Sequence, residues 1–258
     1  MHPVAIFRFS PIEGPGLLGE WLDTDRVPRR LIALDEGEPV PTDVCVFSGL
    51  ALMGGPMSAN DDLPWNAPLL DLLRGAVAAD VPVLGHCLGG QLLATALGAR
   101  VTRTQRPELG WGDVSVTAND KARSWFANRG SFTTFQWHYE VFGLPTGAVR
   151  VLTNACNAEQ AYTLGKHIGF QSHIEMTRGM VETWCRTGAA PSPSRGPRAS
   201  MRRAGRPWSA STRATTSSPM RASCWVRRPT PTPRNRTTWC PRSSTSPWAS
   251  TRSRACRR

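Results

Sequence analysis

Between Val81 and Leu97 the chain has room for a buried strand and a helix, and for almost nothing between them. Val81-Pro-Val-Leu-Gly85 reads as the strand and Leu88 to Leu97 as the helix. A strand that turns straight into a helix belongs to the βαβ units of parallel sheets. The junction, Gly85-His86-Cys87-Leu88-Gly89, has the G-x-nucleophile-x-G form in the strand-to-helix context that this motif requires. Small residues two before and two after Cys87 leave space for a sharp turn in strained geometry. The sulfur then stands at a helix N-terminus, where the dipole favours thiolate. The N–H of Leu88 points into the same space and can hold a developing oxyanion. A free cysteine is most often a small buried hydrophobe. That reading is taken for Cys45, Cys156 and Cys185; the flanking glycines, strand and helix reverse it for Cys87.

The surrounding pattern agrees with a sheet covered on both faces. Pro3–Phe9 reads as a first strand and Asp43–Ser48 as a second, running out before Met53-Gly-Gly-Pro56. Leu69, Leu70, Leu72, Leu73 and Val77 give an amphipathic helix from Trp65 to Ala79. Val101–Arg103 and Asp113–Thr117 look like shorter strands around a turn. Ser131–Phe135, Val149–Thr153 and His167–Phe170 are further strands, and Met176–Arg186 is a last helix. This alternation predicts an α/β fold: a flavodoxin-like, open, mostly parallel sheet with helices on both faces.

Composition changes abruptly near Gly188. The chain has 31 Lys+Arg and 19 Asp+Glu, yet every acidic residue lies at or before Glu182. The body, residues 1–188, is therefore mildly acidic, and the basic excess belongs to residues 189–258. That segment is Arg, Ser, Thr, Pro, Ala and Trp, with no Leu, Ile, Phe or Tyr to build a core. One reading is a basic arm for nucleic acid, with Trp208, Trp225, Trp239 and Trp248 available for base stacking. The other is out-of-frame translation of a GC-rich gene. Arginine without lysine, together with Cys224, Cys240 and Cys256, favours the second, so nucleic-acid binding is not expected unless the arm is genuine. No secretory leader is expected, and no run reaches about 18 apolar residues. Seven irregularly spaced cysteines suit a reducing compartment. A cytoplasmic location without membrane contact is expected. No Cys/His pair has metal-ligand spacing, and no cofactor is expected.

A base for Cys87 is sought downstream. In Gln171-Ser-His173-Ile-Glu175, His and Glu stand two apart after a strand-like run. If that segment is extended, both side chains point to one side, and the carboxylate can fix the imidazole tautomer while the other ring nitrogen faces the thiol. His138 is the rival base, set among Phe135, Trp137 and Tyr139. His86 adjoins the nucleophile, but strand alternation should turn it the opposite way; His2 is terminal.

Gly85-His-Cys-Leu-Gly-Gly-Gln91 resembles the nucleophile segment of the class I (triad-type) glutamine amidotransferases, and the likeness extends over residues 3–187. Met53-Gly-Gly-Pro-Met-Ser58 resembles the family's oxyanion loop, and Glu108-Leu-Gly-Trp111 its mid-domain element. Gln136-Trp-His138 resembles a segment flanking the glutamine pocket. Phe170-Gln-Ser-His-Ile-Glu175 resembles the base-bearing segment, with Ile174 where the family has proline. The resemblance implies a triad of Cys87, His173 and Glu175. It further implies an oxyanion hole from Gly55 and Leu88, with Gln91 and His138 on the substrate side. The implied activity is hydrolysis of a γ-glutamyl amide, glutamine above all, through a Cys87 thioester with release of ammonia. Without a P-loop or synthetase motif the chain lacks an acceptor half. Two forms are left open: a free-standing, GMP-synthetase-glutaminase-like glutamine or γ-glutamyl hydrolase, and a subunit that feeds ammonia to a synthetase partner. Alternatives are a γ-glutamyl peptide hydrolase, another cysteine α/β-hydrolase, or a nucleic-acid binder acting through the basic arm. In the α/β-hydrolases the acid precedes the histidine by many residues; here it follows by two.

Overall fold

A computed structural model describes residues 2–187. The expected boundary at residue 188 and both readings of residues 189–258 lie outside the described residues.

The five strands β1 (Val4–Arg8), β2 (Arg29–Ala33), β3 (Gly49–Leu52), β4 (Val83–His86) and β9 (His167–Phe170) pair in parallel in the order β2-β1-β3-β4-β9. This is the flavodoxin-like order. The sheet continues past β9 through β8 (Ala161–Leu164), β7 (Val149–Thr153), β5 (Val101–Val116) and β6 (Ser131–Phe142), now entirely antiparallel.

Alternation along β1 explains why the parallel part is covered on both sides. Ala5 and Phe7 enter a large core with Leu69, Leu72 and Leu73 of α2 (Asn66–Ala78) and Leu88, Leu92 and Leu93 of α3 (Leu88–Ala96). Val4 and Ile6 enter a second core with Leu22 of α1 (Gly16–Thr24), Ala51 and Met53. Each of these fully buried Val, Ile or Phe side chains is worth about 1.5–3 kcal/mol over an exposed one. Helix α4 (Asp120–Phe126) packs Ala122 and Phe126 against β5, β7 and β9, and α5 (Arg178–Thr187) packs Trp184 against Phe135 of β6. Among the described residues no helix is long and apolar enough to cross a membrane.

Several expected elements shift. Asp43–Ser48 is not a strand: the Asp43 carboxylate accepts the Cys45 N–H at 2.8 Å and turns Val44–Val46 into a 3₁₀ turn, so β3 begins only at Gly49. The two short strands within 101–117 are one long strand, irregular between Arg103 and Glu108, and β6 runs on to Phe142. Elements α1, β2, α4 and β8 have no counterpart in the expected pattern. Edge strand β2 opens on exposed Arg29 and Arg30, so it carries little apolar signal.

Candidate active site

The carboxyl ends of β1, β3, β4 and β9 meet at one place, the usual position for a site in an open α/β sheet. Strand β4 stops at His86, and Cys87 follows at φ 49°, ψ −110° before α3 starts at Leu88. A non-glycine residue at positive φ costs about 1–3 kcal/mol and persists only where its surroundings hold it. Here they do. A Cβ on Gly85 would lie 2.5 Å from the Gly89 carbonyl, one on Gly89 2.4 Å from the Leu52 oxygen, and one on Gly90 2.4 Å from the Phe170 oxygen. Three glycines thus let the backbones of β3, β4, β9 and α3 close on the turn. The Cys87 N–H donates to the Phe170 carbonyl at 2.9 Å and the Gly89 N–H to the Met53 carbonyl at 3.1 Å. The cysteine is buried, with its sulfur 3.9 Å from the Trp137 carbonyl.

Beyond β9 the chain stays extended long enough for His173 to bridge to β6: its N–H donates to the Phe135 carbonyl at 2.8 Å. His173 Nδ1 donates to Glu175 Oε1 at 2.8 Å, so the two side chains do share one side. The imidazole Nε2 is buried with no hydrogen-bond partner among the described residues. Trp184 of α5 meets the ring edge-on at 4.9 Å and anchors itself by donating to the Ile12 carbonyl at 3.0 Å.

Electrostatics bind these groups together. Burial alone would depress the His173 pKa, but Glu175 and then Cys87 overcome it and hold the imidazole well above its ordinary value. Burial alone would raise Glu175, but His86 and His173 hold it well below the usual carboxylate range. Two residues that the sequence pattern passed over belong here. His86, expected to turn away from the chemistry, brings Nδ1 within 2.9 Å of Glu175 Oε2; strand alternation gave no sign that Glu175 stands on that side. Glu13, on the loop after β1, is buried beside Gly54. A Cβ on Gly54 would lie 2.3 Å from Glu13 Oε2 and 2.7 Å from His173 Cε1. Burial, with a smaller contribution from Glu175, pushes Glu13 up to about 7 against the opposing pull of His173.

The remaining expected residues lie around this cluster. Gly55 packs on Leu88: a Cβ there would be 2.6 Å from Leu88 Cδ2. Gln91 is buried and donates to the Glu140 carbonyl of β6 at 2.9 Å, which braces α3 against that strand. His138 is not paired with the His173–Glu175 couple. Its Nε2 meets Gln136 Oε1 at 3.1 Å and lies 3.5 Å from Glu108 Oε2, inside a polar network completed by Asn154, Asn157 and Gln160. Burial would raise Glu108, but hydrogen bonds from His138, Asn157 and Asn154 hold it below the ordinary range. Cys156 and Cys185 are exposed, contrary to the buried reading, and Cys45 is half-buried against the main core. No His/Cys/Asp/Glu cluster suited to a metal occurs among the described residues.

The fold is thus an open α/β sheet that carries a strained cysteine at a strand-to-helix turn and a buried His–Glu pair. Residues 34–183 match the family described as glutamine amidotransferase class-I, and the chain belongs to that family. That family's name describes transfer of the amide nitrogen of glutamine. Over 153 residues the chain is 31% identical to the glutamine amidotransferase-like protein YfeJ of Salmonella typhimurium, a match spanning 57% of this chain and 64% of YfeJ. It is 31% identical over 135 residues to a glutamine-hydrolysing GMP synthase subunit of Sulfurisphaera tokodaii, spanning 51% of this chain and 67% of that one. A solved glutamine amidotransferase from Methylobacillus flagellatus superposes with a TM-score of 0.71 at 47% identity, covering 72% of this chain and 76% of that one. About a third of YfeJ's own length thus lies outside the matched segment.

Proposed function

We propose that the chain hydrolyses the side-chain amide of glutamine through a thioester on Cys87, with His173 as proton carrier and Glu175 as its orienting carboxylate. The observation that carries this reading is the His173 ring. One nitrogen is committed to Glu175 at 2.8 Å, while the other is buried with no hydrogen-bond partner among the described residues, and the ring is under the electrostatic influence of Cys87. A buried ring nitrogen left free beside a thiol is costly unless a reacting group uses it.

His173 Nε2 takes the Cys87 thiol proton, the sulfur attacks the amide carbon and the carbonyl oxygen becomes an oxyanion. The N–H groups of Leu88 and Gly55, on residues that touch each other, supply the two donors. The intermediate collapses as imidazolium Nε2–H protonates the departing nitrogen, and ammonia leaves a γ-glutamyl thioester. Water, deprotonated by His173, then hydrolyses the thioester to glutamate and regenerates the thiol. Gln91 and His138 stand on the substrate side in this scheme, and no cofactor is needed.

The name of the Sulfurisphaera tokodaii relative, which calls it one subunit of a synthase, supports delivery of the ammonia to a separate synthetase partner. Glutamate release from glutamine is expected in the unsubstituted chain and is expected to fall about 10³-fold or more in Cys87→Ser. Undiminished release by that variant would end the assignment.

A further inference from the structure

The Glu175 carboxylate has two oxygens and, in the fold, two imidazoles. Oε1 accepts from His173 Nδ1 at 2.8 Å. Oε2 lies 2.9 Å from His86 Nδ1 in an ion-pair contact, and neither atom has any other hydrogen-bond partner among the described residues. Both side chains are almost wholly buried, at 1% and 3% exposure, so water does not offer a ready substitute. The His86 ring is fixed by its strand register with Phe170 and by a near-parallel stack on that ring, 5.8 Å between centroids and 13° between planes. Its Nε2 is also buried without a partner among the described residues. An imidazole donates through a protonated ring nitrogen, and Nδ1 is the nitrogen of His86 that faces an acceptor.

We propose that His86 is a positioning residue whose Nδ1–H holds Oε2 of Glu175, so that Oε1 stays aligned on His173. This rests on the reading of His173 as the proton carrier. A carboxylate held at one oxygen only can swing about its terminal bond; held at both, it presents one oxygen in one place. The arrangement has a covalent consequence as well. His86 and Cys87 are consecutive, so the end of β4 sets the sulfur on one side and the carboxylate on the other. The nucleophile and the acid at opposite ends of the relay are keyed to a single strand end. The electrostatics agree, since His86 and His173 together outweigh the burial of Glu175.

Steady-state glutamate release by four variants tests this. His86→Phe keeps the ring and its stack but removes the donor, whereas His86→Asn loses the ring but places an amide N–H near the position of Nδ1. His86→Phe should lower kcat about 10²-fold with KM within about twofold, the scale of a small misplacement of a reacting group. His86→Asn should recover at least about tenfold of that loss. The double variant His86→Phe/Glu175→Gln should be no slower than Glu175→Gln alone, because the first change acts through the second. Multiplying losses in the double variant, or an Asn variant as slow as Phe, would overturn the proposal. If His86→Phe does not fold, the ¹⁵N histidine spectrum of the unsubstituted chain decides. A proton on Nδ1 of His86 supports the role, and a proton on Nε2 with bare Nδ1 overturns it. Persistent hydrolysis by Cys87→Ser would instead remove the functional reading, while the tautomer measurement still decides the His86–Glu175 contact.

Discussion

The two halves of the site are held by different physics. Cys87 is held by steric closure within a short stretch: Gly85, Gly89 and Gly90 admit backbone atoms where any side chain would collide, and the cysteine sits between them at φ 49°. His173 and Glu175 are fixed by assembly. The chain past β9 is bridged to β6 at Phe135, faced by Trp184 from α5, overlaid by Glu13 from the loop after β1 and met by His86 from β4. Steric closure is insensitive to pH and local in the chain. Assembly gathers four buried ionisable side chains from distant segments and depends on each of them.

Removing a remote support should show the largest effect. Trp184→Ala is expected to cost about 3–5 kcal/mol in thermal or urea unfolding and to lower glutamate release, although Trp184 lies outside the His173 segment. A loss below about 1 kcal/mol would mean that the His173 segment holds itself, and the contrast would fail.

The pH response should separate the halves next. Glu13 is raised to about 7 in the folded protein from an ordinary 4.5. Because the folded value is the higher one, its contribution is fully present below about pH 4.5 and is lost as pH rises through about 7. The difference corresponds to about 3 kcal/mol. Glu13→Gln, neutral throughout, should therefore match the unsubstituted chain near pH 4.5 and exceed its stability by up to about 3 kcal/mol at pH 8. A stability difference that stays flat between those pH values would refute a buried, titrating Glu13.

The smallest expected effect tests the steric half. Gly89→Ala sets a methyl 2.4 Å from the Leu52 oxygen and should destabilise by about 1–3 kcal/mol, even though alanine is the better helix former. It should do so equally at pH 5 and pH 8. An unchanged urea midpoint would show that the glycine is not required by packing.

The legibility of the fold follows the same division. The strand–turn–helix around Cys87 could be read because every residue that shapes it lies within a few positions. His173 and Glu175 could be read as a pair because an extended chain sets alternate residues on one side. The misread run at Asp43–Ser48 was decided by one side-chain hydrogen bond competing with strand pairing. His86, Glu13 and Trp184 left no local mark: each acts across a sequence separation that only the closed sheet spans. His138 was read as a rival base or a substrate-side residue, because its partners Glu108 and Gln136 meet it only across and along the β5–β6 hairpin.

The sequence by itself determined the α/β class, the strand-to-helix turn at Cys87 and the pairing of His173 with Glu175, because local sterics and backbone periodicity act between near neighbours. Only the tertiary structure decided that the sheet continues as an antiparallel extension, that Trp184 faces the imidazole, and that Glu175 stands between two histidines with Glu13 close by. Those contacts arise when burial brings distant segments together, and their strength comes from the loss of water that accompanies it.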